Sequence, residues 1–392
     1  MALLLLVLHP AAARSPVVLL DFDTDRVVMA IDAEQPWYPA SLAKLMTVYL
    51  TFEELAAGRL DGSTKLVASE HAAQQSGTRL GLAKGTTLTV AEAILATVTR
   101  SANDAAVVLA ERIAGSEAAF AERMTERAQN LGMTATVFRN ATGLPDPQQW
   151  TTATDMAALA RALIRDFADR YALFGTRTMS WQGRQLSNIN GLLGSFPGAD
   201  GLKTGFTCGA GYNIVASAES GGRRMIAVVL GATSLDARRS EVTHLLQAGL
   251  AGKLPKGLAA AETAQLPVAA VAAGRPPTIK PVLPSGCDAE AARASPPANP
   301  LQGWALTVGN AHQERDARVL LDSAKTALRG DLRGGRPLIV QRNVGALPPY
   351  RALIVGYDET RAIATCMALR RLATHCIVLN PEQLASPYAI WN

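Results

Sequence analysis

The chain of 392 residues has little charge, few aromatic residues and only four cysteines. Charged residues make up 18% and aromatics 5%, but hydrophobic residues reach 48%, so material for a core is ample and wholesale disorder is excluded. No run of about 18 apolar residues is present, which excludes a multi-span helical membrane protein. The net charge of +5 comes from 38 Lys and Arg against 33 Asp and Glu, with no polybasic run, so nucleic acid is not an expected partner. The 32 glycines and 21 prolines follow no collagen-like period. Cysteines 208, 287, 366 and 376 are too few for a disulfide scaffold and lack the paired spacing of a zinc site. His71, His244 and His375 stand isolated, no His-Glu-x-x-His occurs, and neither metal nor cofactor is expected. Cys366 and Cys376 either close a short loop, if the first ends a helical turn and the second starts a strand, or stay as buried thiols. Cys208 reads as a small buried hydrophobe.

What is present divides the chain. Residues 1–16 hold a short apolar core and then Ala11-Ala12-Ala13, the order of an export leader, although no Lys or Arg precedes it; a buried N-terminal strand is the alternative. Residues 251–300 contain nine prolines and no aromatic residue, which predicts a linker between a region over 17–250 and a module over 301–392. The first region opens with a β-hairpin pattern at 17–22 and 27–31, and a helix is expected from about Ser41. Helical recurrence follows over 90–113 and 117–131, and strand patterns return at 212–217 and 224–230. The expected fold class is α/β in the α+β sense: an antiparallel sheet made from both ends of the region, with packed helices and a helical insertion. In the module, Trp304–Gly309 and Arg351–Gly356 echo each other, and each precedes a helical stretch. With strands near 337–341 and 376–379 this gives β-α-β-β-α-β.

Three short motifs carry the chemistry. Ser41 and Lys44 lie three residues apart, hence on one helical face, where a neutral lysine could accept the serine's proton. Alone, the pattern equally fits a serine N-cap before a surface lysine. In Ser101-Ala102-Asn103 the hydroxyl could relay a proton and the amide could orient lysine and substrate, or the segment could cap a helix. In Lys203-Thr204-Gly205 the lysine supplies charge, the threonine a hydroxyl for a carboxylate, and the missing glycine side chain lets substrate lie against a strand. Ser-x-x-Lys, Ser-x-Asn and Lys-Thr-Gly in this order are shared by penicillin-binding proteins and class A β-lactamases.

On these motifs the region over 17–250 resembles the low-molecular-mass penicillin-binding D-alanyl-D-alanine carboxypeptidases. Further ordered blocks carry the likeness: Tyr38-Pro39-Ala40, Asn103-Asp104-Ala105-Ala106, Asn140-Ala141-Thr142-Gly143-Leu144, Thr151 to Met156 and Gly201 to Tyr212-Asn213. The resemblance implies that Ser41 attacks the carbonyl between the last two D-alanines of a peptidoglycan stem peptide, with Lys44 as general base. It implies an oxyanion held by the amides of Ser41 and of Thr207 or a near neighbour, and a proton passed to the leaving amine by Ser101. Asn103 would hold the peptide, Lys203 would lower the Lys44 pKa by like charge, Thr204 would bind the terminal carboxylate, and Arg238 would face it. β-Lactam antibiotics would acylate the same serine. D,D-endopeptidase activity uses the same groups, and a serine β-lactamase is the nearest other enzyme; no Glu-x-x-x-Asn segment appears, since Asp146-Pro147-Gln148-Gln149-Trp150 lacks that arrangement. The place implied is the periplasm or bacterial cell envelope.

Residues 303–380 resemble a SPOR domain, the small peptidoglycan-binding module of envelope proteins, on the β-α-β-β-α-β order, Tyr350 to Gly356 and the Cys366 to Cys376 spacing. This implies binding to denuded glycan strands. The end, Ser386 to Asn392, is too short and uncharged for a membrane-surface helix.

Overall fold

A computed structural model describes residues 15–252, 304–341 and 350–379, together with Pro277, Ile279 and Cys287. The expected leader and most of the 251–300 stretch lie outside the described residues. The chain forms two compact units, residues 1–295 and 296–392.

In the first unit the order is β1 (Val17–Asp21), β2 (Arg26–Ile31), a 3-10 turn (Ala40–Ala43), α1 (Lys44–Ala56), β3 (Lys65–Val67), α2 (Glu70–Ala73) and β4 (Thr87–Thr89). It continues with α3 (Val90–Thr99), α4 (Asn103–Ala114), α5 (Glu117–Asn130), α6 (Ala153–Asp166), β5 (Thr178–Trp181) and β6 (Arg184–Ser187). It ends with β7 (Ala199–Thr207), β8 (Gly211–Ser220), β9 (Arg223–Ala232) and α7 (Leu235–Leu250). The main sheet has the order β2-β1-β9-β8-β7, antiparallel throughout, so the hairpin from the start of the chain is completed by strands from the end of the region. Strand alternation divides the sheet's apolar residues between two cores. Val17, Leu19, Ile214, Ala227 and Val229 face Val242 and Leu246 of α7, whereas Val18, Leu20, Val215, Ile226 and Val228 face the helical body around α1 and α6. Because β7 is the sheet's edge, its outer backbone groups lie open to whatever occupies the cleft beside it.

Side-chain caps set the helix starts. Thr89 and Glu92 form a reciprocal capping box on α3, worth about 1 kcal/mol, while Ser116, Thr152 and Ser234 cap α5, α6 and α7. The helical pattern over 90–113 is broken at residues 100–102, where Ser101 adopts φ 56°; α3 ends and α4 begins on either side of that left-handed residue. The helix α6 and the small hairpin β5–β6 are elements that the sequence reading did not anticipate.

The second unit contains β10 (Trp304–Ala311), α8 (Glu314–Ala327), β11 (Arg336–Gln341), β12 (Tyr350–Tyr357), α9 (Glu359–Arg371) and β13 (Ile377–Leu379). Its four-stranded antiparallel sheet has the order β11-β12-β10-β13, as β-α-β-β-α-β implies. Leu306, Ile354, Leu321, Cys366 and Leu369 form the core between the sheet and its helices, and Ala305, Leu353, Val355 and Leu379 are buried on the other face.

Two cysteine expectations change. Cys208 is no free buried thiol: it is half-exposed and bonded to Cys287, so that residue of the expected linker is tied to the first unit. Cys366 and Cys376 are bonded, with Cys366 in the middle of α9 rather than at a helix end.

Candidate active site

Ser41 sits in the 3-10 turn that leads into α1 and caps nothing; among the described residues neither the turn nor α1 has a side-chain cap at its start. The N-cap alternative therefore fails. The preceding residue, Ala40, holds φ 48°, a conformation L-residues avoid, and such outliers persist only where the surroundings enforce them. Two glycines do so. A Cβ on Gly143 would lie 1.7 Å from the Ala40 carbonyl oxygen, and one on Gly205 of β7 would lie 3.1 Å from the Ser41 nitrogen. Asn213 of β8 adds a polar clip, with Nδ2 donating to the carbonyls of Tyr38 (2.9 Å) and Pro39 (3.2 Å) and Oδ1 accepting the Gly231 amide (2.8 Å).

Lys44 opens α1 and is 1% exposed. Its Nζ lies 3.1 Å from Ser41 Oγ and 2.5 Å from the Thr142 carbonyl oxygen. That carbonyl is presented by a tight loop in which Asn140 Oδ1 accepts from Gly143 N (2.7 Å), Thr142 N (3.3 Å) and Thr142 Oγ1 (3.0 Å). Burial first, and then the positive charge of Lys203, hold the Lys44 amine well below the ordinary lysine range, against a smaller upward pull from Glu117 and Asp104. A neutral amine here can donate to Thr142 and keep its lone pair for the Ser41 hydroxyl proton.

Ser101 and Asn103 stand at the α3–α4 junction. Ser101 is 1% exposed, and its Oγ has no hydrogen-bond partner among the described residues. A buried unpaired hydroxyl is costly and marks a group whose partner is exchanged or absent. Asn103 Nδ2 donates to the Ser76 carbonyl (2.6 Å), and its backbone N–H donates to that of Thr78 (2.7 Å). Neighbouring Asp104 accepts from the amides of Leu80, Gly81 and Leu82, which fastens the 78–82 loop to α4.

On β7, Lys203 pairs with Val215 on the helical face and Thr204 with Ile214 on the α7 face. Lys203 is 2% exposed, and burial followed by the charge of Arg238 brings its amine down to about 7. Its Nζ donates to the Thr204 carbonyl at 2.9 Å. Thr207 instead turns its carbonyl toward β8 to accept the Ala210 amide (3.1 Å). Because backbone groups alternate along a strand, the amides on the free edge are those of Thr204 and Phe206, and the amide of Thr207 points inward.

Arg238, in the first turn of α7, is buried; burial and then Arg239 bring its guanidinium down to about 10. Its Nη1 reaches the Asn213 carbonyl at 3.5 Å, and its Nε has no partner among the described residues. It lines a cavity of about 80 Å³ with Ile189, Asn190, Leu192 and Leu235. Asn190 Nδ2 is a second buried donor without a partner there. The electrostatic couplings join Lys44, Lys203 and Arg238 in one row. Thr142, Asn190, Asp104 and Asn213 were not given roles by the sequence; three of them act through or upon the backbone, which residue type alone does not reveal. Among the described residues no group of His, Cys, Asp and Glu is arranged to hold a metal.

The five-stranded sheet between α7 and the helical body is the fold of the penicillin-binding-protein and serine β-lactamase class. The chain belongs to the peptidase S11 family, D-alanyl-D-alanine carboxypeptidase, whose model matches residues 7–234. It is 38% identical over 237 residues to the D-alanyl-D-alanine carboxypeptidase DacF of Bacillus subtilis (strain 168), covering 58% of this chain and 60% of that protein. The chain thus spans about 60% of the length of this curated relative. The crystal structure of the D-alanyl-D-alanine carboxypeptidase DacD from Francisella tularensis aligns with a TM-score of 0.59 at 32% identity, over 64% of this chain and 74% of that one. Penicillin-binding protein 6B from Escherichia coli aligns with a TM-score of 0.58 at 34% identity, over 62% and 80%.

Proposed function

We propose that this protein is a serine-type D-Ala-D-Ala carboxypeptidase of the cell envelope, which removes the terminal D-alanine of peptidoglycan pentapeptides through an acyl-enzyme and is acylated by β-lactams at the same serine. The observation that carries the reading is Lys44: a buried amine, held toward its neutral form, 3.1 Å from the Ser41 hydroxyl.

Ser41 Oγ attacks the penultimate residue's carbonyl carbon as its proton passes to Lys44. The oxyanion lies between the amides of Ser41 and Phe206, the latter replacing the expected Thr207 because it is the amide on the free edge. The bond to the leaving D-alanine breaks as its nitrogen receives a proton through Ser101, whose unpaired hydroxyl suits a relay. Water then attacks the ester, giving up a proton to Lys44, and Ser41 is regenerated. Asn103 and Gly205 hold the peptide along β7. Thr204 and Arg238 take the terminal carboxylate, and Lys203 adds positive charge; a fixed guanidinium with an unsatisfied N–H suits that anion.

The test is D-alanine release from a purified pentapeptide, with a fluorescent penicillin as covalent label. The protein is expected to release D-alanine and hold a persistent adduct, and Ser41→Ala to do neither. An adduct that turns over rapidly would make the protein a β-lactamase instead. Release of cross-linked dimers into monomers would add D,D-endopeptidase activity.

For the second unit we propose binding to glycan strands stripped of stem peptides, supported by its β-α-β-β-α-β order and by the peptidoglycan substrate proposed for the first. Amidase-treated sacculi should retain the full chain more strongly than a chain ending at Ser295. Equal retention refutes it.

A further inference from the structure

The edge strand β7 gives the cleft a direction. In the proposed function, on which this inference rests, the terminal carboxylate lies at Thr204 and Arg238, and the scissile carbonyl lies at the Phe206 amide two residues further on. An extended peptide on that edge advances at about 3.3 Å per residue. Its residues upstream of the scissile bond therefore continue past Phe206, alongside Thr207 and Cys208.

At that point the chain returns. Cys208 is joined to Cys287, 79 residues later, with their Cα atoms 5.5 Å apart. The β7–β8 turn has other anchors: Trp37 Nε1 donates to the Ala210 carbonyl (2.9 Å), and the Ala210 amide donates to the Thr207 carbonyl (3.1 Å) and hydroxyl (3.1 Å). What the bond adds is Cys287 itself, fixed beside the end of the site strand. Cys208 and Cys287 are both partly exposed, so the bond lies at the surface just beyond the end of β7 rather than in a core. Beside them Phe206, 43% exposed, packs its ring at 4.4 Å from that of Tyr212, which itself rests on the core beneath α7, so the pair is an anchored apolar platform with the Phe206 side open.

We propose that the Cys208–Cys287 disulfide, with Phe206 and Tyr212, forms the wall of a subsite for the stem-peptide residue next upstream of the penultimate D-alanine. It takes the aliphatic part of that residue's side chain, and so sets the preference for long peptides over the bare terminal dipeptide. The two cysteines are specificity-determining residues and take no part in bond making.

The test compares a pentapeptide ending in D-Ala-D-Ala with an N-acetylated D-Ala-D-Ala, using the full chain as purified, the chain reduced with dithiothreitol, and Cys287→Ser. In reduction the reagent's two thiols become its cyclic disulfide, and Cys208 and Cys287 become thiols. Because Cys366–Cys376 opens too, a Cys366→Ser/Cys376→Ser chain is carried as control. Opening the bond is expected to raise KM for the pentapeptide about ten-fold, the scale of lost side-chain complementarity, with kcat nearly unchanged. Both constants for the dipeptide should stay within about two-fold. Equal effects on both substrates, no effect on either, or a native protein whose mass shows Cys208 and Cys287 as free thiols overturns the proposal. Should Cys287→Ser fail to fold, the reduced native chain supplies the same comparison. If the oxidised, folded protein releases D-alanine from neither peptide, the carboxypeptidase reading itself falls, a result distinct from loss of length preference.

Discussion

Gly143→Ala tests how the nucleophile is held. Gly143 has φ 78°, and an added Cβ would lie 1.7 Å from the Ala40 oxygen, 2.3 Å from its carbonyl carbon and 3.0 Å from the Ser41 nitrogen. Real Cβ contacts to backbone atoms begin near 3 Å, so the Ala40–Ser41 peptide or the 140–144 loop must retreat by on the order of 1 Å. The positive φ alone costs an alanine about 1 kcal/mol. The displacement adds a repacking cost of about 1–3 kcal/mol. Both moving parts belong to the site: one carries Ser41, and the other presents the Thr142 carbonyl to Lys44. A misplacement of about 1 Å at a reacting centre lowers the rate about 10²-fold. Acylation by a fluorescent penicillin should therefore slow about 10²-fold while thermal unfolding falls by several degrees. Gly81→Ala separates strain from clash, because Gly81 has φ 85° but nothing within 4 Å of its would-be Cβ. It should lose only about 1 kcal/mol and acylate normally. Wild-type acylation by Gly143→Ala, or equal slowing by both variants, would refute the reasoning.

Three further outcomes follow from the same geometry. Lys203→Gln removes a cation that favours the neutral form of Lys44, so the Lys44 pKa rises and the acid limb of kcat/KM should move to higher pH; an unmoved limb counts against the coupling. Arg238→Ala should lower kcat/KM on D-Ala-D-Ala peptides about 30-fold, equivalent to ~2 kcal/mol for a charged hydrogen bond, and Asn190→Asp, which sets a carboxylate in the same cavity, should also lower it; exposed Arg239→Ala should change little, and comparable effects at 238 and 239 would remove Arg238 from the carboxylate site. Asn213→Ala leaves the Tyr38 and Pro39 carbonyls and the Gly231 amide without their clip and should cost about 3 kcal/mol in denaturant unfolding; a loss below about 1 kcal/mol would mean that other contacts suffice.

The sheet and the three motifs were legible because they rest on patterns the side chains carry themselves. Short continuous runs rich in Val, Leu and Ile mark β1, β8 and β9 as strands buried on both faces, and Ser41 with Lys44 keeps a shared face whether the turn is 3-10 or α. The left-handed residues were not legible. Neither Ala40 nor Ser101 belongs to a type that signals positive φ, and the room for Ala40 comes from Gly143, a neighbour distant in sequence. Asn140–Leu144 was visible as part of a family likeness, but its task is done by the Thr142 carbonyl, and every residue has a carbonyl. The Cys208–Cys287 pairing was hidden for a related reason, since four cysteines allow three pairings and only the fold selects among them.

The row of Lys44, held toward its neutral form, Lys203 and Arg238 shows why the site tolerates buried charge. Among the described residues none forms an ion pair; each leans on a backbone carbonyl, of Thr142, Thr204 and Asn213 respectively. Burying a cation without a counter-ion costs several kcal/mol, and a carboxylate beside each would recover part of it. That recovery would defeat the chemistry twice. A carboxylate next to Lys44 would raise its pKa and hold it protonated, so it could not accept the Ser41 proton. One next to Lys203 or Arg238 would cancel the potential meant for the substrate's free carboxylate and would have to be displaced before binding. Neutral carbonyls satisfy the N–H groups without cancelling the charge. The cost is met by the packed sheet and helices around the row, and the positive potential that remains is available to a ligand ending in an anion.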